Sequence, residues 1–126
     1  NVSPDALLNC VGVAQLSTDA TQLYLVYGGT TAQTAIPLGA THFPGSTLST
    51  TAYEFAVFCP NSTANTYYVQ ITNINTGVTY TNTLTGSAVV VPPSSMLLGY
   101  RAWTTNNTTA VAVGIDICSL YIETDT

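Results

Sequence analysis

Apolar side chains recur at every second position along this chain, in short runs separated by clusters of Thr, Ser, Asn, Gly and Pro. A period of two is the pattern of a β-strand, because successive side chains of a strand point to opposite faces of a sheet. The run from 53 to 59 has Tyr, Phe, Val and Cys at its odd positions and ends at Pro60. Only residues 4–9 could form a helical turn, so the pattern predicts an all-β protein.

The strongest local pattern is a β-hairpin between residues 67 and 84. Residues 67–74 form the first strand, Asn75-Thr76-Gly77 the turn, and residues 78–84 the return strand. A short loop that contains glycine is a common hairpin connection. Further strands are predicted at 10–16, 23–27, 34–38, 53–59, 87–91, 96–103 and 110–122.

The number and spacing of these strands indicate the architecture. About eight short strands with turns between them predict a two-sheet antiparallel β-sandwich, of the jelly-roll or the immunoglobulin-like type. Pro37 confines its strand to a sheet edge, because proline cannot donate a ladder hydrogen bond. The length of 126 residues fits a single domain spanning residues 1–126.

The predicted last strand, 110–122, is apolar on both faces. Such a strand is typical of a central position, or of one whose second face a partner subunit covers. We therefore predict a homo-oligomer in which this strand forms a subunit interface. The interface candidates are Val111, Val113, Ile115, Ile117, Leu120 and Ile122.

The chain carries one Arg and no Lys, and 6% of its residues are charged, against about a quarter in an average soluble domain. Hydroxyl and amide groups must therefore wet its surface. A formal net charge of −5 excludes nucleic acids and anionic membrane surfaces as partners, because phosphate binding needs clustered cations. No apolar run approaches the roughly 18 residues of a membrane span, so we expect none.

Ionisable and nucleophilic side chains are scarce in this chain, so we expect no enzyme, no catalytic residue, no cofactor and no metal site. His42 is the only histidine and lies in a loop by composition, and no Gly-x-Ser-x-Gly elbow supplies a nucleophile. The three cysteines have no metal-ligand spacing. A glycosidase needs two carboxylates that face each other across a cleft. Away from the termini the carboxylates are Asp19, Glu54 and Asp116. The last two could be paired at an interface, and we expect them instead on exposed strand faces.

Arg101 is the one cation, and it lies beside Tyr100 and Trp103. Its guanidinium could fork to a carboxylate within the chain, or stack on an aromatic ring. A functional alternative is contact with an acidic sugar or with a carboxylate of a neighbouring subunit. Tyr100, Arg101 and Trp103 are therefore the candidate ligand contacts.

Sequons and cysteines suggest covalent modifications of an exported chain. Asn-x-Ser/Thr sequons begin at Asn1, Asn61, Asn106 and Asn107, which would accept glycans after export to a compartment with that machinery. The odd cysteine number leaves open free thiols, one disulfide with a thiol left over, and a bridge between subunits. Cys59 and Cys118 are the candidate disulfide pair.

The short Thr- and Asn-rich strands, the low charge and the final two-faced apolar strand resemble secreted β-sandwich modules of extracellular fibres. One kind is the donor-strand-type filament or thread subunit, which lends a strand to the next subunit. The other is the trimeric knob of viral or phage tail fibres. The resemblance implies a non-enzymatic structural or adhesion protein at a cell or virion surface, assembling into a fibre. Its alternative is a knob that binds a glycan or receptor through loops such as 61–67 or 104–109.

Overall fold

The computed structural model describes residues 2–60, 63–96, 99–104 and 114–123. These residues contain one turn of 3-10 helix, Pro4–Ala6, and six β-strands: β1 (Cys10–Leu16), β2 (Asp19–Gly28), β3 (Ile36–Pro37), β4 (Tyr53–Phe58), β5 (Thr66–Asn73) and β6 (Thr79–Thr85). The strands form two antiparallel three-stranded sheets, ordered β1-β2-β3 and β4-β5-β6. The all-β prediction is confirmed, with six strands in the described residues where the sequence predicted about eight. Within those ranges no helix is long and apolar enough to cross a membrane.

The chain divides into two compact units, Asn1–Met96 and Leu97–Thr126. All six strands belong to the first unit. In the second unit, residues 99–104 and 114–123 carry no regular secondary structure. The single domain over residues 1–126 stays a prediction.

The first sheet is built on the β1–β2 hairpin. The two strands pair in register from Cys10 opposite Gly28 to Gln15 opposite Leu23, and the register shifts at the hairpin end between Gln15 and Leu16. Strand β3 adds two residues at the far edge and contains Pro37. The edge position predicted for this proline is confirmed, and its missing N–H explains why the strand is short.

The predicted hairpin forms the β5–β6 half of the second sheet. Its turn closes through the amide of Asn73, which donates to the carbonyl of Val78 at 2.9 Å, and through the amide of Gly77, which donates to the carbonyl of Asn73 at 2.8 Å. Gly77 adopts a φ of 74°, a left-handed conformation that favours glycine. The inward side chains of β5 are all buried, and Tyr68 and Gln70 on its outward face are exposed, as the period of two predicts.

Both sheets contribute to one cluster of buried side chains. Leu23 and Leu25 of β2 lie in it together with Val69 and Ile71 of β5. The other buried members are Leu38, Phe43, Tyr67, Leu84 and Val91. Removal of these apolar surfaces from water is the main force that holds the first unit together.

The strand predicted at 87–91 is wrong, because this segment is a turn. The amides of Val90 and Val91 both donate to the carbonyl of Ser87, at 2.9 and 3.1 Å. The turn packs closely over Gly29, where an added Cβ would lie 2.0 Å from the carbonyl oxygen of Ala88. Only glycine fits there, and the segment forms a turn at the end of β2, with Val91 buried and Val89 exposed, instead of pairing as a strand.

The strands predicted at 96–103 and 110–122 are not found where the structure describes them. Residues 99–104 and 114–122 carry no ladder, and residues 97, 98 and 110–113 lie outside the described residues. A strand exists only with a hydrogen-bonded neighbour. An alternating sequence gives a segment two distinct faces, but it does not provide the neighbouring strand with which the segment must pair.

Candidate functional site

Strand β4 leaves two inward-facing apolar side chains uncovered. The register pairs Phe55 with Ile71 and Val57 with Val69, and directly opposed residues of an antiparallel pair lie on the same face. Ile71 and Val69 are 0% and 2% exposed, whereas Phe55 and Val57 are 39% and 41% exposed. The four side chains share a face, so the difference lies in what covers them.

The backbone edge of β4 is also unprotected. In the part of the chain that the structure describes, β4 pairs on one side only, and its six residues pair with β5 without a register shift. Natural sheets commonly guard an edge with proline, lysine or a bulge. Strand β3 has Pro37 and β1 has an irregular pairing beside Leu16, but the only charge on β4 is Glu54. We call β4, with exposed Phe55 and Val57, the open edge.

The predicted subunit interface lies partly in described residues. Ile115, Ile117, Leu120 and Ile122 are all exposed within segment 114–123. Val111 and Val113 lie outside the described residues. The segment is therefore a second run of exposed apolar side chains, and its role as an interface stays a prediction.

The candidate ligand contacts in residues 99–104 show one specific interaction. The guanidinium carbon of Arg101 lies 4.6 Å from the ring centroid of Trp103, a cation–π contact. Of the alternatives left open by the sequence, stacking on an aromatic ring is the one seen. Tyr100 is exposed, and the role of these three residues in ligand binding stays a prediction.

The cysteines differ in exposure. Cys59 and Cys118 are exposed, and Cys10 is half-buried, with its thiol directed at the carbonyl of Leu7 at 3.6 Å. Burial raises the pKa of the Cys10 thiol, so it stays protonated and unreactive at neutral pH. The Cys59–Cys118 disulfide stays a prediction. The four sequons, at Asn1, Asn61, Asn106 and Asn107, lie outside the described residues.

The best-bonded carboxylate belongs to the β1–β2 turn. Asp19 accepts hydrogen bonds from the amide and hydroxyl of Thr21 at 2.9 and 2.5 Å, from the side-chain amide of Gln22 at 2.8 Å, and from the hydroxyl of Tyr24 at 2.5 Å. These bonds hold the pKa of Asp19 well below its usual range. Every partner is local in sequence, so this network shapes the turn. In the described ranges no group of three His, Cys, Asp or Glu side chains could hold a metal ion.

The outer face of the second sheet carries a shallow groove of about 540 Å³. Phe58 and Tyr68, opposite each other in the β4–β5 register, have ring centroids 6.3 Å apart and planes inclined by 20°. Both rings are open to solvent, at 61% and 46% exposed. Ala56, Gln70, Thr81 and Thr83 line the groove on this face, and Val57, Val69 and Asn82 complete its lining. Sequence reasoning singled out neither aromatic residue, since only the strand register brings them together.

Comparison with known proteins finds no match to a family model, a curated protein or a solved structure. The arguments for function therefore rest on the side chains of this chain.

Proposed function

We propose that this chain is a non-enzymatic structural or adhesion protein outside the cell, a subunit that self-assembles into a homo-oligomeric fibre or filament. The observation that carries the proposal is the open edge of β4, where exposed apolar side chains coincide with backbone groups that pair with no strand in the described ranges. A flat edge without proline or lysine is a template for another strand.

Two properties of the chain favour a second copy as the source of that strand. Segment 114–123 exposes Ile115 and Ile117 at alternate positions, a pattern that would cover the apolar side of an acceptor strand. The low charge content of 6% leaves little repulsion between copies. In this proposal, strands from neighbouring subunits extend the two sheets towards the sandwich of about eight strands.

The extracellular location is part of the same proposal. Main-chain hydrogen bonds and apolar contacts between subunits do not depend on cellular nucleotides or on a membrane anchor. A hydroxyl-rich surface with one Arg suits a cell or virion surface, and the scarcity of titrating groups supports a passive role over catalysis.

Assembly is tested with Val57→Lys. The ammonium reaches water from this exposed position in the monomer, but a strand added at β4 would bury it, and an unpaired buried charge is costly. We expect the parent to sediment as assemblies at micromolar concentration and the variant to sediment as a folded monomer. Thr79→Lys is the matched control, since Thr79 is exposed on β6, the opposite edge of the same sheet, and should assemble like the parent.

The outcomes separate the alternatives. Electron micrographs of fibres that Val57→Lys abolishes support the proposal, and closed trimers would favour the knob that binds a glycan or receptor. A parent that stays monomeric would contradict assembly altogether. If the parent does assemble, Ile117→Lys tests the terminal segment, and this variant should reduce assembly as Val57→Lys does.

A further inference from the structure

We infer that the outer face of the second sheet is a binding site for neutral saccharides. Phe58 and Tyr68 form its aromatic platform, and Gln70, Thr81 and Thr83 supply its hydrogen-bonding groups. The side chains of Phe58 and Tyr68 lie on the opposite face of the sheet from those of Phe55 and Val57, and Val57 also borders the groove. The inference rests on the two rings and the polar groups beside them, and not on the fibre proposal.

The aromatic pair suits the apolar face of a sugar ring. A pyranose has C–H groups on its faces and hydroxyl groups around its rim. Two nearly parallel aromatic rings, both open to solvent, offer a surface on which such C–H faces can pack. Exposed aromatic side chains grouped beside polar ones commonly mark a ligand groove.

The polar side chains beside the rings are free to bind hydroxyl groups. In the described part of the chain, no hydrogen bond occupies the side chain of Gln70, Thr81 or Thr83. One row along the same face, Thr72 and Thr79 bond each other at 3.2 Å. An amide and two hydroxyls can both donate and accept, which matches sugar hydroxyls.

The charge of the first unit selects a neutral ligand. Residues 1–96 contain no Lys and no Arg, so this unit cannot neutralise a carboxylate, sulfate or phosphate. Glu54 lies on the same face of β4 as Ala56 and Phe58, and its carboxylate repels anions nearby. Acidic sugars and nucleotides are therefore disfavoured, and uncharged oligosaccharides fit.

Affinity electrophoresis of the full chain tests this site, and NMR titration uses the full chain with Ile117→Lys, a substitution outside the groove that we expect to reduce assembly. The probes are neutral oligosaccharides, namely cello-, xylo-, manno- and malto-tetraose, with tetragalacturonate as the acidic comparison. We expect one or more neutral probes to bind and to shift the amide signals of residues 56, 68, 70, 81 and 83. Tyr68→Ala should weaken binding roughly tenfold or more, and Tyr68→Phe should retain most of it because the ring remains.

Two control variants separate this groove from other surfaces. Thr79→Ala alters the same face outside the groove and should bind like the parent. Tyr100→Ala removes another exposed tyrosine, one predicted from the sequence as a ligand contact. The inference is overturned if no neutral probe binds, if only tetragalacturonate binds, or if Tyr100→Ala abolishes binding while Tyr68→Ala, folded by circular dichroism, leaves it intact.

Discussion

Strands β4 and β5 are neighbours with the same alternation of side chains, yet one is covered and the other is open. Ile71 of β5 is fully buried, and its cross-strand partner Phe55 on β4 remains exposed. The central strand has a neighbour on both sides and the opposite sheet above it, and the edge strand has one neighbour among the described residues. A period of two therefore reveals which side chains share a face, but position in the sheet decides whether water reaches them.

The largest expected effect comes from truncating one inward-facing apolar side chain on each of the two strands. Ile71→Ala leaves a cavity in the shared core and should lower the free energy of unfolding by about 4 kcal/mol. Val57→Ala removes partly solvated atoms and should cost about 1 kcal/mol or less. Urea unfolding of both variants, below the concentration at which the chain assembles, measures the difference. Equal losses would mean that β4 is covered in the isolated subunit.

A smaller difference in unfolding free energy is expected when side-chain hydrogen bonds at one end of the two strands are removed. Asn73 of β5 is buried, donates to the carbonyl of His42 at 2.7 Å, and accepts from the amides of Asn75 and Thr76 at 3.1 and 3.3 Å. Asn73→Ala removes these bonds from the carbonyl of His42 and the amide of Asn75 and should cost about 2 kcal/mol.

Its partner across the ladder, Tyr53 of β4, donates one hydrogen bond to the carbonyl of Pro44 at 3.1 Å. Tyr53→Phe should therefore cost about 1 kcal/mol or less. Thermal unfolding measures the stability that each variant loses. A larger loss for Tyr53→Phe than for Asn73→Ala would contradict this comparison.

Alkaline pH gives a third way to compare the strands. Burial raises the pKa of both Tyr67 on β5 and Tyr53 on β4. Each neutral phenol thus contributes stability that is present below the unfolded pKa of about 10 and is lost as pH rises through the folded value. We expect the midpoint temperature to fall above that pH. Tyr67→Phe should reduce this fall more than Tyr53→Phe, because Tyr67 is buried and Tyr53 is half-buried.

The smallest effect lies outside both strands, on the acid side. The pKa of Asp19 is depressed chiefly by its bonds to Thr21 and Tyr24. Its contribution is present above the unfolded pKa of about 3.9 and is lost as pH falls towards the folded value. We expect a shallow loss of stability confined to pH below about 4, and Asp19→Ala should remove it. A steep loss between pH 7 and 5 would instead reveal an ionic network.

Local patterns predicted the elements whose hydrogen bonds are local. Strand β1 has the bounds expected from its sequence, and the β5–β6 hairpin forms around Gly77, where a positive φ closes the turn. Segment 87–91 has the same apolar composition as a strand and is a turn, whose carbonyls at Ala88 and Val89 accept from the amides of Thr30 and Thr31, partners that are available only in the folded unit. Composition alone does not distinguish a strand from a turn that packs against the sheet.

The candidate sites show the same division. Phe58 and Tyr68 are ten positions apart and meet only through the β4–β5 register, so no motif signals their groove. Arg101 and Trp103 are close in sequence, and their contact was among the alternatives that the sequence left open. Sites made by neighbours in sequence can be predicted from their residues, and those made by neighbours in a sheet need the pairing.

By itself, the sequence determined that this chain forms β-sheet, that its surface depends on hydroxyl and amide groups, and which side chains share a face of each strand. These properties follow from local periodicity and from charge. Only the tertiary structure decided which strand faces are buried from solvent, because burial depends on the order of strands in the two sheets. It placed Ile71 in the core, left Phe55 and Val57 at an open edge, and joined Phe58 to Tyr68, since burial and pairing depend on residues distant in sequence.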